Sequence, residues 1–281
     1  MQSRIDWLSF TGKRSVGEGD TEASALKDAI SFLDDINPII LDALDWGDDW
    51  KWEKGRTPYR AAWRRGDNGV SIYVHPRLDH FLVEVSGRGC EALSDSPHAY
   101  EFLKAVADRL TRLDLACDML SDTNPLDFVA QRDEGRFKSH SEFVSDSGTT
   151  CYIGSRTSNR YARVYRYNPP HERAHLLRCE FVVKSEDAKM TAKAILETDH
   201  YRVASTLGEQ YGWRHPDWQP DAPSIEELKA YRPERREGKT LFWLADTVAP
   251  LLVRLSQEGT IDAEQWFKEN VLRFLAKTDN L

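Results

Sequence analysis

Three carboxylates and one tyrosine, all in strand-like stretches, are the residues whose types and spacing could do chemistry. Asp114 and Asp118 lie in TRLDLACDML (111–120), Glu180 in LLRCEFVVK (176–184) and Tyr165 in RYARVYRY (160–167). Side chains alternate across a strand. In the first stretch Arg112, Asp114, Ala116 and Asp118 therefore share one face, opposite Leu113, Leu115, Cys117 and Met119. In the second, Arg178, Glu180 and Val182 oppose Cys179, Phe181 and Val183; in the third, Tyr161, Arg163, Tyr165 and Tyr167 oppose Ala162, Val164 and Arg166. Aspartate is depleted in strands, so two mid-strand aspartates opposite an apolar face point to a metal site or a paired polar network. If the strands are neighbours, Glu180 and one aspartate could hold a hard divalent cation through oxygen alone, as suits Mg2+ or Mn2+. Four residues of strand put Asp114 and Asp118 roughly 13 Å apart. One is then expected as a ligand and the other as the holder of an arginine, unless a bulge bends the strand. A phenol beside such a cation could attack phosphate, the metal polarising the phosphoryl oxygen and the phosphotyrosine ester keeping the bond energy for rejoining.

Each feature has a plainer reading. Strand carboxylates commonly pair with arginine, and Arg112 and Arg178 stand ready. Tyrosines and arginines on one strand face are often cross-strand pairs on a solvated surface. Tyr161 and Tyr167 share the face of Tyr165 and are rival nucleophiles. His171 and His175 follow Pro169-Pro170 and read as surface loop residues. The chain has no His-hydrophobe-His pair, GxxxxGK[ST], GxSxG or zinc-type cysteine spacing. Its four cysteines, Cys90, Cys117, Cys151 and Cys179, read as buried thiols.

The elements that must position these residues follow from pattern. With 281 residues, 40% hydrophobic and 30% charged, the chain can bury a sizeable core. Strands are expected over 5–11, 59–64, 70–75, 81–86, 111–120, 150–154, 160–167 and 177–184, and helices over 22–36, 96–110, 126–134 and 185–207. The acidic, aromatic stretch 46–52 resists placement, and GRGC (87–90) reads as the close of a hairpin. After a Pro/Asp/Trp linker at 213–223, helices are expected over 224–230, 240–256 and 262–277. Short loops between strands make the sheet mainly antiparallel with helices on one face, an α+β fold. The expected organisation is a domain over 1–212 and a helical C-terminal region over 224–281. The net charge of −8 argues against a protein that coats nucleic acid non-specifically and leaves room for a local basic groove. Arginine gathers at 56–65, 156–178 and 232–236. No apolar run reaches the roughly 20 residues of a membrane span, and the start lacks signal-peptide architecture. A cytoplasmic protein with no membrane partner is the expectation.

Six pieces in order, IDWLSFT (5–11), VEVSGRGC (83–90), TRLDLACD (111–118), TTCYIGSRTS (149–158), ARVYRY (162–167) and LLRCEFVVK (176–184), resemble the Rep-trans family of rolling-circle replication initiators. Relatives of that family occur on plasmids and filamentous phages and as relaxases of integrative elements. The resemblance covers about residues 5 to 190. It implies an HUH-endonuclease-like antiparallel sheet and site- and strand-specific nicking of origin DNA, single-stranded or in a hairpin. A tyrosine would stay joined to the 5′ phosphate and leave a 3′ hydroxyl for a polymerase. By motif, the nucleophile is Tyr165, the carboxylates of the R-x-D and R-x-E strands are Asp114 and Glu180, and Asp118 is a third. Where the family commonly has lysine this chain has Tyr167, and Arg163 is the expected substitute on the phosphate. Arg156 in the turn 155–159, with Arg160, Arg178 and Lys184, is expected to contact DNA. A host helicase, a polymerase and a second copy of the chain are the expected partners. A relaxase, a non-catalytic DNA-binding regulator and a metal-dependent phosphoesterase without a covalent step are the alternatives.

Overall fold

The structure is a computed structural model that describes residues 2–36, 50–65, 69–95, 99–130, 140–145, 148–167, 176–213 and 249–259, with 262 and 265. The chain divides into two compact units, Met1–Tyr231 and Arg232–Leu281. In the first, ten strands form one antiparallel sheet: β1 (Gln2–Lys13), β2 (Trp50–Lys54), β3 (Ala61–Arg65), β4 (Val70–Val74), β5 (His80–Ser86), β6 (Leu110–Leu120), β7 (His140–Ser145), β8 (Gly148–Ile153), β9 (Arg160–Tyr167) and β10 (Leu176–Lys184). Their order across the sheet is β2-β3-β4-β5-β1-β6-β10-β9-β8-β7. The long strands β1, β6 and β10 are thus central, and β9 lies beside β10.

The alternation read from sequence decides which face is covered. Leu113, Leu115 and Cys117 of β6, Cys179, Phe181 and Val183 of β10, and Ala162 and Val164 of β9 are all buried in one cluster. Helices α1 (Glu22–Ile36), α2 (Arg88–Asp95), α3 (Ala99–Val106), α4 (Pro125–Ala130), α5 (Glu186–Glu197) and α6 (His200–Gln210) add their apolar stripes to it, among them Ala25, Leu93, Phe102, Val129, Ile195 and Leu207. Phe181, Tyr211 and Trp213 meet with ring centroids 5.6–5.7 Å apart beneath β10. Aromatic groups of this size supply a large share of apolar burial. The second unit contributes one described helix, α7 (Ala249–Gln257).

Three elements differ from the sequence expectation. GRGC does not merely end a hairpin: Gly87, at φ +51, turns the chain into α2, whose Cys90 and Leu93 reach the core at helical spacing. The expected single helix over 185–207 is two, because Asp199 caps α6 by accepting a bond from the Arg202 N–H at 2.8 Å. Strand β7 has every residue exposed, so it carries no alternation for a reader to find. Of the unplaced stretch 46–52, residues 50–52 open β2, and 46–49 lie outside the described residues, as do 131–134, 214–230, 240–248 and 266–277.

Gly69, at φ +71, starts the β4–β5 pairing, and a Cβ there would fall 1.9 Å from the Ser86 carbonyl oxygen. The same two residues are tied by the Ser86 N–H donating to the Gly69 carbonyl at 2.8 Å. Gly69→Ala combines left-handed strain with a backbone clash, so a loss of about 2–4 kcal/mol is expected in denaturant unfolding. An unchanged unfolding midpoint would contradict this geometry.

Candidate active site

The face of the sheet away from the helices carries the polar residues. Strands β6 and β10 are antiparallel neighbours with Arg178 opposite Asp118, Glu180 opposite Ala116 and Val182 opposite Asp114. Strand β9 pairs on the other side of β10, with Tyr165 opposite Arg178 and Arg163 opposite Glu180. Glu180 therefore sits between the two aspartates on one side, and on the other faces Arg163 directly with Tyr165 diagonal to it. The small Ala116 leaves room for it.

Asp114 and Glu180 are both 0% exposed although, among the described residues, the helices that pack on the sheet lie on its other face. Cationic side chains and phenols close over them. Arg112 donates to both oxygens of Asp114, at 2.9 and 2.6 Å, and its guanidinium lies 4.5 Å from the centre of the Trp7 ring. Arg163 Nε donates to Glu180 Oε2, and the Tyr165 hydroxyl donates to Glu180 Oε1. Burial pushes the Glu180 carboxyl up to about 7, with the neighbouring charges of Asp6 and Asp114 acting in the same direction and Arg163 against it. Burial, and then Glu180, raise the Tyr165 phenol above its ordinary value, so it is protonated at neutral pH. Burial also raises Asp114.

Asp118 holds an arginine across the strand pair: Arg178 donates to both of its oxygens at 2.7 Å and to Asp6 at 3.0 Å. The guanidinium of Arg178 is also stacked 3.5 Å from the centre of the Tyr167 ring. A cation therefore lies against Tyr167 even though the side chain there is a phenol. Tyr161 is buried under Lys184, whose Nζ lies 5.0 Å from its ring centre. Of the three tyrosines on this face, Tyr165 is the one bonded to a carboxylate.

Asp6 was not singled out by sequence reasoning. Strict alternation along β1 puts it in phase with Leu8 and Phe10, both fully buried on the helix side. A register shift between Ile5 and Trp7 breaks that phase, and Asp6 reaches Arg178 on the polar face. A carboxylate in phase with core residues of a strand was the available signal of a bulge.

The residues expected at DNA are divided by the sheet. Arg156 is exposed in the turn after β8, lies 4.9 Å over the Tyr152 ring, and its carbonyl accepts from Lys184 Nζ at 2.8 Å. Burial, then Arg112, lowers the Lys184 pKa. Arg178 is 3% exposed and clamped between Asp6 and Asp118. Arg160 is on the helix side: its guanidinium donates to Asp187 of α5 at 2.7 Å, away from Tyr165. His171 and His175 lie outside the described residues.

For a cation, the donor chemistry is favourable and the arrangement is closed. Asp6, Asp114 and Glu180 supply only oxygen, and the charges of Asp6 and Asp114 both disfavour ionisation of Glu180, a repulsion that a hard divalent ion would relieve. In the arrangement described, arginines occupy these oxygens, and no three acidic, histidine or cysteine side chains converge to enclose an ion among the described residues. The donors thus suit Mg2+ or Mn2+ in type alone; with arginines on their oxygens, the described carboxylates do not form a site for the ion.

No protein-family model matches this chain, and no curated protein matches it. Among solved structures, it is similar to a rolling circle replication initiator protein from Geobacillus stearothermophilus, with TM-score 0.53 and 17% identity over 81% of this chain and 95% of that one. The likeness is one of fold: an α+β architecture with a large antiparallel sheet and flanking helices. No helix among the described residues is long and apolar enough to cross a membrane.

Proposed function

We propose that this chain initiates replication by nicking one strand of origin DNA, with Tyr165 as the nucleophile. The observation that carries the reading is the hydrogen bond from the Tyr165 hydroxyl to Glu180 on the face of the sheet away from the described helices, with Arg163 on the same carboxylate. The likeness of fold to an initiator supports it.

Chemically, Tyr165 Oη would attack the scissile phosphorus. The bond from phosphorus to the 3′ oxygen breaks, the 5′ phosphate is left esterified to Tyr165, and the 3′ oxygen leaves as a hydroxyl after taking up a proton. The phenol proton is held at Glu180 Oε1. Without a cation, burial pushes that carboxyl up to about 7, matched to accept a proton near neutral pH; a cation bound to it would favour its ionised form and weaken it as a base. Arg163 can turn from Glu180 to a non-bridging phosphate oxygen, and Arg178, fixed by Asp6 and Asp118, supports the Tyr167 ring. Asp114 and Glu180 would hold a divalent cation only once Arg112 and Arg163 leave their oxygens; a cation bound there would supply charge neutralisation at the phosphoryl oxygen. Arg156 and Lys184 are the cations placed to guide the strand along β8–β10.

Glu180→Gln tests the arrangement with two readouts. It keeps the size of the side chain and removes the charge. Cleavage of a randomised single-stranded oligonucleotide pool should fall about 10^2–10^4-fold. Mn2+ is expected to raise the melting temperature of the wild-type protein and to raise that of Glu180→Gln less or not at all. Unaltered cleavage together with an unaltered Mn2+ response would remove Glu180 from the site.

A further inference from the structure

A cavity of about 390 Å3 opens on the flank of Tyr165 away from the carboxylates, between β8 and β9. Thr149, Thr150, Tyr152, Arg163, Tyr165 and Arg166 line it. Its volume falls in the roughly 300–1,000 Å3 range of small-ligand sites, and its wall is phenol, hydroxyl and guanidinium, which suits a flat polar group attached to phosphate. The register shows how a ring could enter. Thr150 lies opposite Tyr165 and Tyr152 opposite Arg163, so the Tyr152 and Tyr165 rings are diagonal neighbours on one face. Arg163, directly opposite Tyr152, has its guanidinium 5.7 Å from the Tyr165 ring centre, so a base entering the cavity meets a phenol ring and a guanidinium together. Tyr152 is held in place by Arg156, 4.9 Å from its ring centre, and by Tyr161, with ring centroids 6.4 Å apart.

We propose that this cavity takes one unpaired nucleobase, that of the nucleotide beside the phosphate Tyr165 attacks, and that Tyr152 and Thr150 read it. The inference rests on the nicking function proposed above and adds a subsite to it. A paired base has its hydrogen-bonding edge occupied and its faces stacked, so the site selects single-stranded or extruded nucleotides. Tyr152 supplies a stacking face, the Thr150 hydroxyl meets the base edge, and Arg163 stands where the flanking phosphate runs.

The test uses fluorescence anisotropy of the full chain carrying Tyr165→Phe, which keeps the ring and removes the nucleophile. Its probes are four labelled 12-nucleotide homopolymers, of dA, dC, dG and dT, and an abasic strand of equal length. At least one homopolymer should bind about tenfold or more tightly than the abasic strand, the range expected of base–aromatic stacking. Tyr152→Ala should bring that preference within twofold, and Tyr152→Phe should keep it. If Tyr152→Ala does not fold, Tyr152→Leu, which keeps bulk on β8, serves in its place with the same expected loss. Equal binding of homopolymers and abasic strand, or a preference that survives loss of the Tyr152 ring, would overturn the base subsite while leaving DNA binding intact. Binding to none of the five strands would overturn the nicking function as well.

Discussion

Tyr165→Phe will form no covalent complex with DNA, and its cleavage rate will fall at least about 10^3-fold, the order expected when a nucleophile is removed. The substitution deletes one oxygen. It leaves the ring packed in β9 and Arg163 on Glu180. The cost to the fold is the loss of one hydrogen bond to a buried carboxyl, about 1–3 kcal/mol, which circular dichroism at ambient temperature would show as an intact fold. Tyr161→Phe and Tyr167→Phe bracket the result. Their phenols lie against Lys184 and Arg178 rather than against a carboxylate, so each should still form the covalent complex. A wild-type yield from Tyr165→Phe, with loss in either neighbour, would move the nucleophile along the strand.

Arg160→Ala will have the largest effect on stability. Both partners of the Arg160–Asp187 pair are nearly inaccessible, with side chains 7% and 4% exposed and 2.7 Å between nitrogen and oxygen. Removing the guanidinium strands a carboxylate under α5, which costs about 3–5 kcal/mol when a buried pair is broken from one side. Thermal unfolding should show this as a fall of roughly 6–20 °C for a chain of this size. Replacing both residues, Arg160→Leu with Asp187→Leu, removes the stranded charge and should recover most of the loss. If the single variant melts like the wild type, the pair is solvated and the orientation of β9 is in doubt.

The sheet's face pattern was legible because β6, β9 and β10 alternate without interruption. Leu113, Leu115 and Cys117 announced one face, and Asp114 could only be on the other. The neighbourhood of β6 and β10 was an assumption in the sequence, and the register that puts Glu180 opposite Ala116 needed the structure. Asp6 was hidden for a local reason. A bulge shifts phase by one residue, and alternation read through it assigns the wrong face. Arg160 was hidden by its type: an arginine near a tyrosine-rich strand suggests phosphate, yet its position in phase with Ala162 and Val164 already placed it toward the helices. Helix α2 escaped because eight residues beginning at a glycine turn offer only two core positions, Cys90 and Leu93. The cavity beside Tyr165 depends on which strand pairs with β9, and no local pattern reports that.

The central claim is that Tyr165 becomes joined to DNA. Incubating the wild-type chain with a randomised single-stranded pool and Mn2+, digesting the DNA and the protein, and weighing the peptides by mass spectrometry addresses it directly. A nucleotide mass is expected on the peptide containing Tyr165, with fragment ions placing it on that side chain. A nucleotide on Tyr161 or Tyr167, or cleaved DNA with no modified peptide, would contradict it.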